Sequence, residues 1–199
     1  MNQREKQKDA TIQHILVAAQ SLFMNRGYMA VTTRTIAEAA GVQQPLLYHY
    51  FGTKEKLYMA VVMHVSETMA AIIAQAQEGA GDFTAKLKRL GHTLTDDNPM
   101  NLQLVMHDVS HLDATIQQAV FEAWQKGFLI PLDNFFTAFQ DQLHPNYPVR
   151  DITLYFLMTL AAYLRPAMNE TPSFVQRQLP LDITLGMFCT GVLRQPKKK

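Results

Sequence analysis

Apolar side chains along this chain recur at spacings of three and four, with no sustained alternation of apolar and polar positions, and that period predicts an all-α protein. The first stripe, Ile12, Ile15, Leu16, Ala19, Leu22 and Phe23, occupies one face of a helix. Gly27 stands where a left-handed C-terminal cap belongs, so this helix is expected to end near Arg26. A short helix follows Thr32 and Thr33, either of which can cap its free N–H groups, and runs through Ile36, Ala37 and Ala40 to Gly41. A third starts at once with Gln44 and Pro45 in its first turn, where proline's missing N–H costs nothing, and continues through Leu47 and Tyr48 to Phe51. Two short helices joined by a tight glycine turn make a helix-turn-helix.

Beyond it, Thr53 is placed to cap a long helix from Lys54 to about Gln77, marked by Leu57, Val61, Val65, Met69, Ile72 and Ile73. The rest of the chain continues in helical periods. Phe83, Leu87, Leu90 and Leu94 predict one helix, broken at Asp96-Asp97-Asn98-Pro99. Leu102, Val105, Met106, Val109 and Leu112 predict the next, and Ile116, Ala119, Val120, Ala123 and Trp124 another. Pro131 is expected to kink or restart the chain before Leu132, Phe135, Phe136, Phe139 and Leu143. His144 to Pro148 reads as a loop, and a last helix, about Leu181 to Leu193, follows Pro180. Ile152 to Leu164 is apolar at 11 of 13 positions, too short for a bilayer, which takes roughly 20 residues. Its uniformity predicts a helix covered on more than one side, as packing against a partner subunit would require, although a helix buried within its own chain would read the same.

Composition adds exclusions. The 199 residues, 48% of them apolar, with 18 Lys plus Arg against 17 Asp plus Glu, describe a folded globular protein rather than a disordered or collagenous one. A single cysteine, Cys189, rules out an intramolecular disulfide and a cysteine-rich zinc site, and fits a reducing cytoplasm. The polar start from Met1 to Ala10 has no apolar run after it, so no secretory signal is expected. Charge is divided unevenly. Residues 1–60 carry seven basic and four acidic side chains, whereas residues 61–196 carry eight and thirteen, which suggests a basic module on an acidic body.

Within the helix-turn-helix, Ala37 is small where two helices must cross, Gly41 supplies the turn, and Val42 and Leu47 return to a shared core. With Val42, Leu47 and Phe51 facing inward, Gln43, Gln44, Leu46, Tyr48, His49 and Tyr50 project outward or flank the core. Gln can pair with both N6 and N7 of adenine, and Tyr and His can reach phosphate oxygens, so this face suits DNA. At the next helix start Glu55 suits the positive end of the dipole, but Lys54 opposes it, an arrangement that makes sense if a phosphate sits there. A solvated helix hairpin would explain the period but not the outward aromatics.

No Gly-rich phosphate loop, nucleophile elbow or two-His-with-Glu helix is present, so an enzyme is not expected, nor a cofactor. His107 and His111 share a helix face beside Asp108, but no third ligand can be named, and no metal site is expected. Eleven Met and many Phe make a plastic apolar interior in which Met106, His107, Trp124, Phe128 and Tyr155 are candidate walls for a small apolar or aromatic effector.

The first ~50 residues resemble the TetR family of bacterial transcriptional regulators. The resemblance rests on Ile15-Leu16-x-Ala18-Ala19-x-x-Leu22-Phe23-x-x-x-Gly27-Tyr28, then Thr32-Thr33-x-x-Ile36-Ala37-x-x-Ala40-Gly41-Val42, then Leu47-Tyr48-x-Tyr50-Phe51-x-x-Lys54-Glu55-x-Leu57. It implies a DNA-binding head over 1–53 and a helical effector-binding and dimerisation body over 54–199. It also implies a cytoplasmic homodimer on a palindromic operator, paired through its last two helices, about 149–166 and 181–193, with no membrane partner. By position, Thr33 and Lys54 would hold phosphates, Arg34 would reach a base or phosphate, and Gln44, Pro45, Tyr48 and Tyr50 would face the major groove or its rim. Tyr28 would be the structural aromatic closing the first helix. Leu46 and Gly52 depart from the family pattern: Leu46 could meet a thymine methyl, and Gly52 implies one phosphate contact fewer. The mechanism implied is repression relieved by the effector; activation, or a body that binds a protein partner instead, is the alternative.

Overall fold

The computed structural model describes residues 2–96, 105, 108–161, 163 and 179–194. Among the described residues the chain is helical with no strand, apart from an isolated antiparallel bridge between Leu143 and Leu193. The all-α expectation holds. The helices are α1 (Gln3–Arg26), α2 (Thr33–Ala39), α3 (Gln44–Phe51), α4 (Lys54–Glu78), α5 (Phe83–Asp96), α6 (Ala114–Trp124), α7 (Ile130–Thr137), α8 (Val149–Ala161) and α9 (Leu181–Val192). The helix expected around Leu102 to Leu112 falls largely outside the described residues, as do Met106, His107 and the end of the expected 149–166 helix.

The chain forms two compact units, residues 1–66 with 99–123, and residues 67–98 with 124–199. In the first, α1 packs on α2 and α2 on α3. Ile15, Ala19, Phe23, Ile36, Leu47, Leu57, Tyr58 and Val61 are all at most 1% exposed there, so the stripes read from the sequence do meet in one core. Residues 3–10, with Arg4, Lys6 and Lys8, form the first turns of α1 with their side chains in solvent.

In the second unit α5 packs on α9, and α8 on both α7 and α9. Phe83, Phe135, Phe136, Phe156 and Phe188 form its buried aromatic centre, with edge-on and tilted ring pairs such as Phe136–Phe156 at 5.6 Å. Pro131 lies where the helix restarts, as expected. Gln125–Leu129 make a π-helical turn that passes straight into α7, where Pro131 sits in the first turn and needs no N–H partner. That helix does not reach Leu143: it stops at Thr137, and a 3-10 turn, Gln140–Gln142, brings Leu143 to its bridge with Leu193.

The near-uniform apolarity of α8 resolves into two faces. Ile152, Phe156 and Leu160 are buried, whereas Leu154, Tyr155 and Met158 are 40, 54 and 75% exposed; on α9, Ile183 and Met187 are likewise 50 and 64% exposed. Among the described residues α4 is the one helix long and apolar enough to cross a membrane. Its apolar stripe, Leu57, Val61, Val65, Met69 and Ile73, is instead buried inside the protein.

Candidate nucleic-acid interface

The turn between α2 and α3 is built by three backbone features. Thr32 is the N-cap of α2, its hydroxyl accepting the Thr35 N–H at 3.1 Å, which settles the choice between Thr32 and Thr33. At the other end Val42 N–H reaches the Ala37 carbonyl at 3.0 Å and Gly41 N–H the Glu38 carbonyl at 3.2 Å, the paired bonds of a Schellman cap. That cap needs a left-handed residue, and Gly41 supplies it with φ 67°. Pro45 then lies in the first turn of α3, and Leu47 is fully buried between the helices.

With Leu47 fixed inward, the rest of α3 is oriented by its 3.6-residue period. Gln43, Pro45, Tyr48 and His49 are exposed, and Gln44, Leu46 and Tyr50 are half-buried. Val42 and Phe51, expected inside, are also only half-buried, because they sit at the ends of a short helix where the core cannot surround them. His49 and Tyr50 meet edge to face at 5.2 Å. Arg34, on α2, is 80% exposed and engaged with Glu38 one turn on, Nε to Oε1 at 3.0 Å. Such an exposed pair contributes little and leaves the guanidinium available to a stronger anion. Thr33 differs from the others: it is 8% exposed, and its hydroxyl receives Gln44 Nε2 at 2.8 Å and lies 3.0 Å from the Tyr48 hydroxyl.

Lys54 begins α4, behind Thr53, whose hydroxyl accepts the Lys56 N–H at 3.2 Å. Its ammonium rests 4.1 Å from the centroid of the Tyr28 ring. Partial burial holds its pKa below the ordinary lysine value, against the opposing pull of Glu55 and Asp108. A phosphate at this helix start would relieve that desolvation cost. Tyr28 is the structural aromatic the resemblance implies: 6% exposed, stacked on Phe23 and edge-on to Tyr58, with its hydroxyl donating to Glu55 at 2.6 Å. Burial, then that bond, raises the phenol's pKa, and the same bond holds the Glu55 carboxyl below the usual carboxylate range.

The sequence pattern does not show what Asp108 contacts. It stands beside His107 and His111 in the chain, and its buried carboxylate accepts the backbone N–H of Tyr28 at 2.6 Å. No local signal marks this contact, which joins residues 80 apart. Gly52, which departs from the family pattern, has a role in the backbone. It caps α3 at φ 77° with its N–H on the Tyr48 carbonyl, a conformation that a side chain would strain.

Of the expected effector walls, Met106 and His107 lie outside the described residues. Phe128 is 4% exposed on the π turn, and Trp124 is half-buried just before it. Tyr155 lies on the outward face of α8, stacked at 5.1 Å on Phe188 with more than half of its surface in solvent, where with Tyr147, Ile152 and Val192 it lines an open cavity of about 360 Å³. Its ring covers apolar surface while its hydroxyl stays wet.

A glycine-capped helix pair exposing a polar and aromatic face defines a helix-turn-helix protein. Residues 15–61 match the family described as bacterial regulatory proteins, tetR family. This likeness to the tetR family lies in the head and the first turns of α4. Among relatives, the chain is 35% identical over 74 residues to the HTH-type transcriptional activator FasR of Mycolicibacterium smegmatis, covering 37% of this chain and 34% of that protein. It is 36% identical over 87 residues to the HTH-type transcriptional repressor NicS of Pseudomonas putida, covering 44% and 41%. The chain spans only between a third and a half of the length of these relatives. The fold likeness reaches further: the transcriptional regulator FadR from Bacillus subtilis in complex with stearoyl-CoA matches with a TM-score of 0.67 at 18% identity, over 90% of this chain and 98% of that one.

Proposed function

We propose that the protein is a cytoplasmic, homodimeric repressor that binds a palindromic operator through residues 1–53 and is released by a small apolar or aromatic effector taken up by residues 54–199. The observation that carries the DNA reading is the outward face of α3, where Gln43, Pro45, Tyr48 and His49 stand exposed beside the half-buried Gln44, Leu46 and Tyr50. Thr33, Arg34 and Lys54 flank it. The dimer reading is supported by the outward apolar side chains of α8 and α9, Leu154, Met158, Ile183 and Met187, which a monomer would leave in water. Two heads roughly 34 Å apart can occupy successive turns of a palindrome. The likeness to a regulator holding stearoyl-CoA supports an apolar effector. Such a ligand acts only through its differential affinity: a hundredfold preference for a form whose heads no longer match the half-sites is worth about 2.7 kcal/mol, enough to lower operator affinity a hundredfold.

The test is binding of the purified chain to DNA just upstream of its own gene, against scrambled DNA, at two salt concentrations, with Tyr48→Ala as control. Specific binding that weakens with salt and is lost in the variant is expected. Absence of binding at low salt would refute the DNA role. A ligand screen by melting temperature then tests the effector, because a ligand of the folded state must raise it.

A further inference from the structure

Thr33 opens α2 almost fully buried, yet its one hydroxyl is the meeting point of two α3 side chains. Gln44 Nε2 donates to it at 2.8 Å, and the Tyr48 hydroxyl lies 3.0 Å away. A threonine hydroxyl has one proton and two lone pairs, so the bond to Tyr48 can run either way. If Tyr48 donates, its phenolic oxygen is left as an acceptor only. If Thr33 donates, the phenolic proton is free to point outward, where Tyr48 is 45% exposed. A phosphate oxygen only accepts, so only the second arrangement serves it. The bonds then run in one direction, Gln44 N–H to Thr33, Thr33 O–H to Tyr48, Tyr48 O–H to phosphate, and bonds aligned in this way polarise and strengthen one another.

We propose that Thr33 is a positioning residue that couples base reading by Gln44 to phosphate contact by Tyr48 through its single hydroxyl, and does not itself hold a phosphate. With one N–H held by Thr33, the Gln44 amide presents Oε1 and its other N–H, the pair that matches N6 and N7 of adenine in the major groove. A phosphate on Tyr48 tightens the hold on that amide and so sharpens the reading. This rests on the DNA-binding function proposed above.

The experiment enriches duplexes from a pool of random sequence with the wild-type chain, then measures affinity for the enriched duplex and its single-base-pair variants. Gln44→Ala identifies the base pair that Gln44 reads. Phosphate contacts carry no direct sequence information, so an independent Tyr48 would weaken all duplexes alike when its hydroxyl is removed. Coupling predicts instead that Tyr48→Phe lowers the preference at the Gln44 base pair by roughly tenfold. Thr33→Val does the same, with no further loss when Tyr48→Phe is added, and Thr33→Ser restores the preference. A uniform loss in Tyr48→Phe with the preference intact overturns the proposal; that variant decides the matter if Thr33→Val fails to fold. A wild-type chain that enriches no sequence overturns the DNA reading itself, and the coupling with it.

Discussion

Removing the Asp108 carboxylate tests whether a distant acidic side chain holds the end of α1 in place. Asp108 is 3% exposed and accepts the Tyr28 N–H at 2.6 Å, at the point where the chain leaves α1 through Gly27. Asp108→Ala leaves that buried N–H without its acceptor, a loss of about 1–3 kcal/mol, and hydrogen bonds to charged groups lie at the upper part of that range. Relief of the buried carboxylate's own desolvation offsets part of it, which centres the expectation near 2 kcal/mol. Asp108→Asn keeps an oxygen in place and exchanges a charged acceptor for a neutral one, so about half of the loss is expected. Equilibrium unfolding in urea reads the difference. With a slope of about 3 kcal/mol per molar, Asp108→Ala should lower the midpoint by roughly 0.7 M at unchanged slope, at a single protein concentration because the stability of the proposed dimer would depend on it. An alanine variant within about 0.5 kcal/mol of wild type, or an asparagine variant less stable than the alanine one, would refute the account.

Further expectations follow from single positions. A Cβ at Gly91 would lie 2.6 Å from Leu185 Cδ1, itself fully buried, whereas one at Gly186 meets nothing within 4 Å. Gly91→Ala should therefore cost about 1–3 kcal/mol by overpacking, and Gly186→Ala should gain about 0.5–1 kcal/mol, two melting shifts of opposite sign. The Glu55 pKa is depressed in the folded protein, first by the Tyr28 hydroxyl, so its contribution is present above about pH 4.5 and lost as the pH falls through the folded value. The melting-temperature gap between wild type and Glu55→Gln should accordingly be widest near neutrality and close in acid. If the proposed dimer pairs through α8 and α9, the wild-type chain should sediment with twice the monomer mass and Met158→Lys with Met187→Lys, both at exposed positions, should halve it without loss of helical circular dichroism; a wild-type monomer would refute the dimer, and a variant that stays dimeric would refute this face.

Much of the head was legible because its signals are local. Gly41 and Gly27 take positive φ where a helix must stop, Pro45 lies where a helix can start, and Leu47 stands at the period that returns to the core; each requirement is met within a few residues of chain. Gly52 carries the same kind of signal, since a glycine after Phe51 is what a helix cap asks for.

By itself the sequence determined most of the described helices, their buried stripes in both units and the polar, aromatic face of α3, since these follow from the 3.6-residue period and the conformational limits of Gly and Pro. Only the tertiary structure decided what each face meets. Asp108 finds Tyr28 across 80 residues, the Thr33 hydroxyl is taken up by Gln44 and Tyr48, and Tyr155 turns outward from a helix that looked uniformly apolar. Periodicity states which residues share a face, but the neighbour opposite that face is set by packing between segments distant in the chain, and no local pattern encodes it.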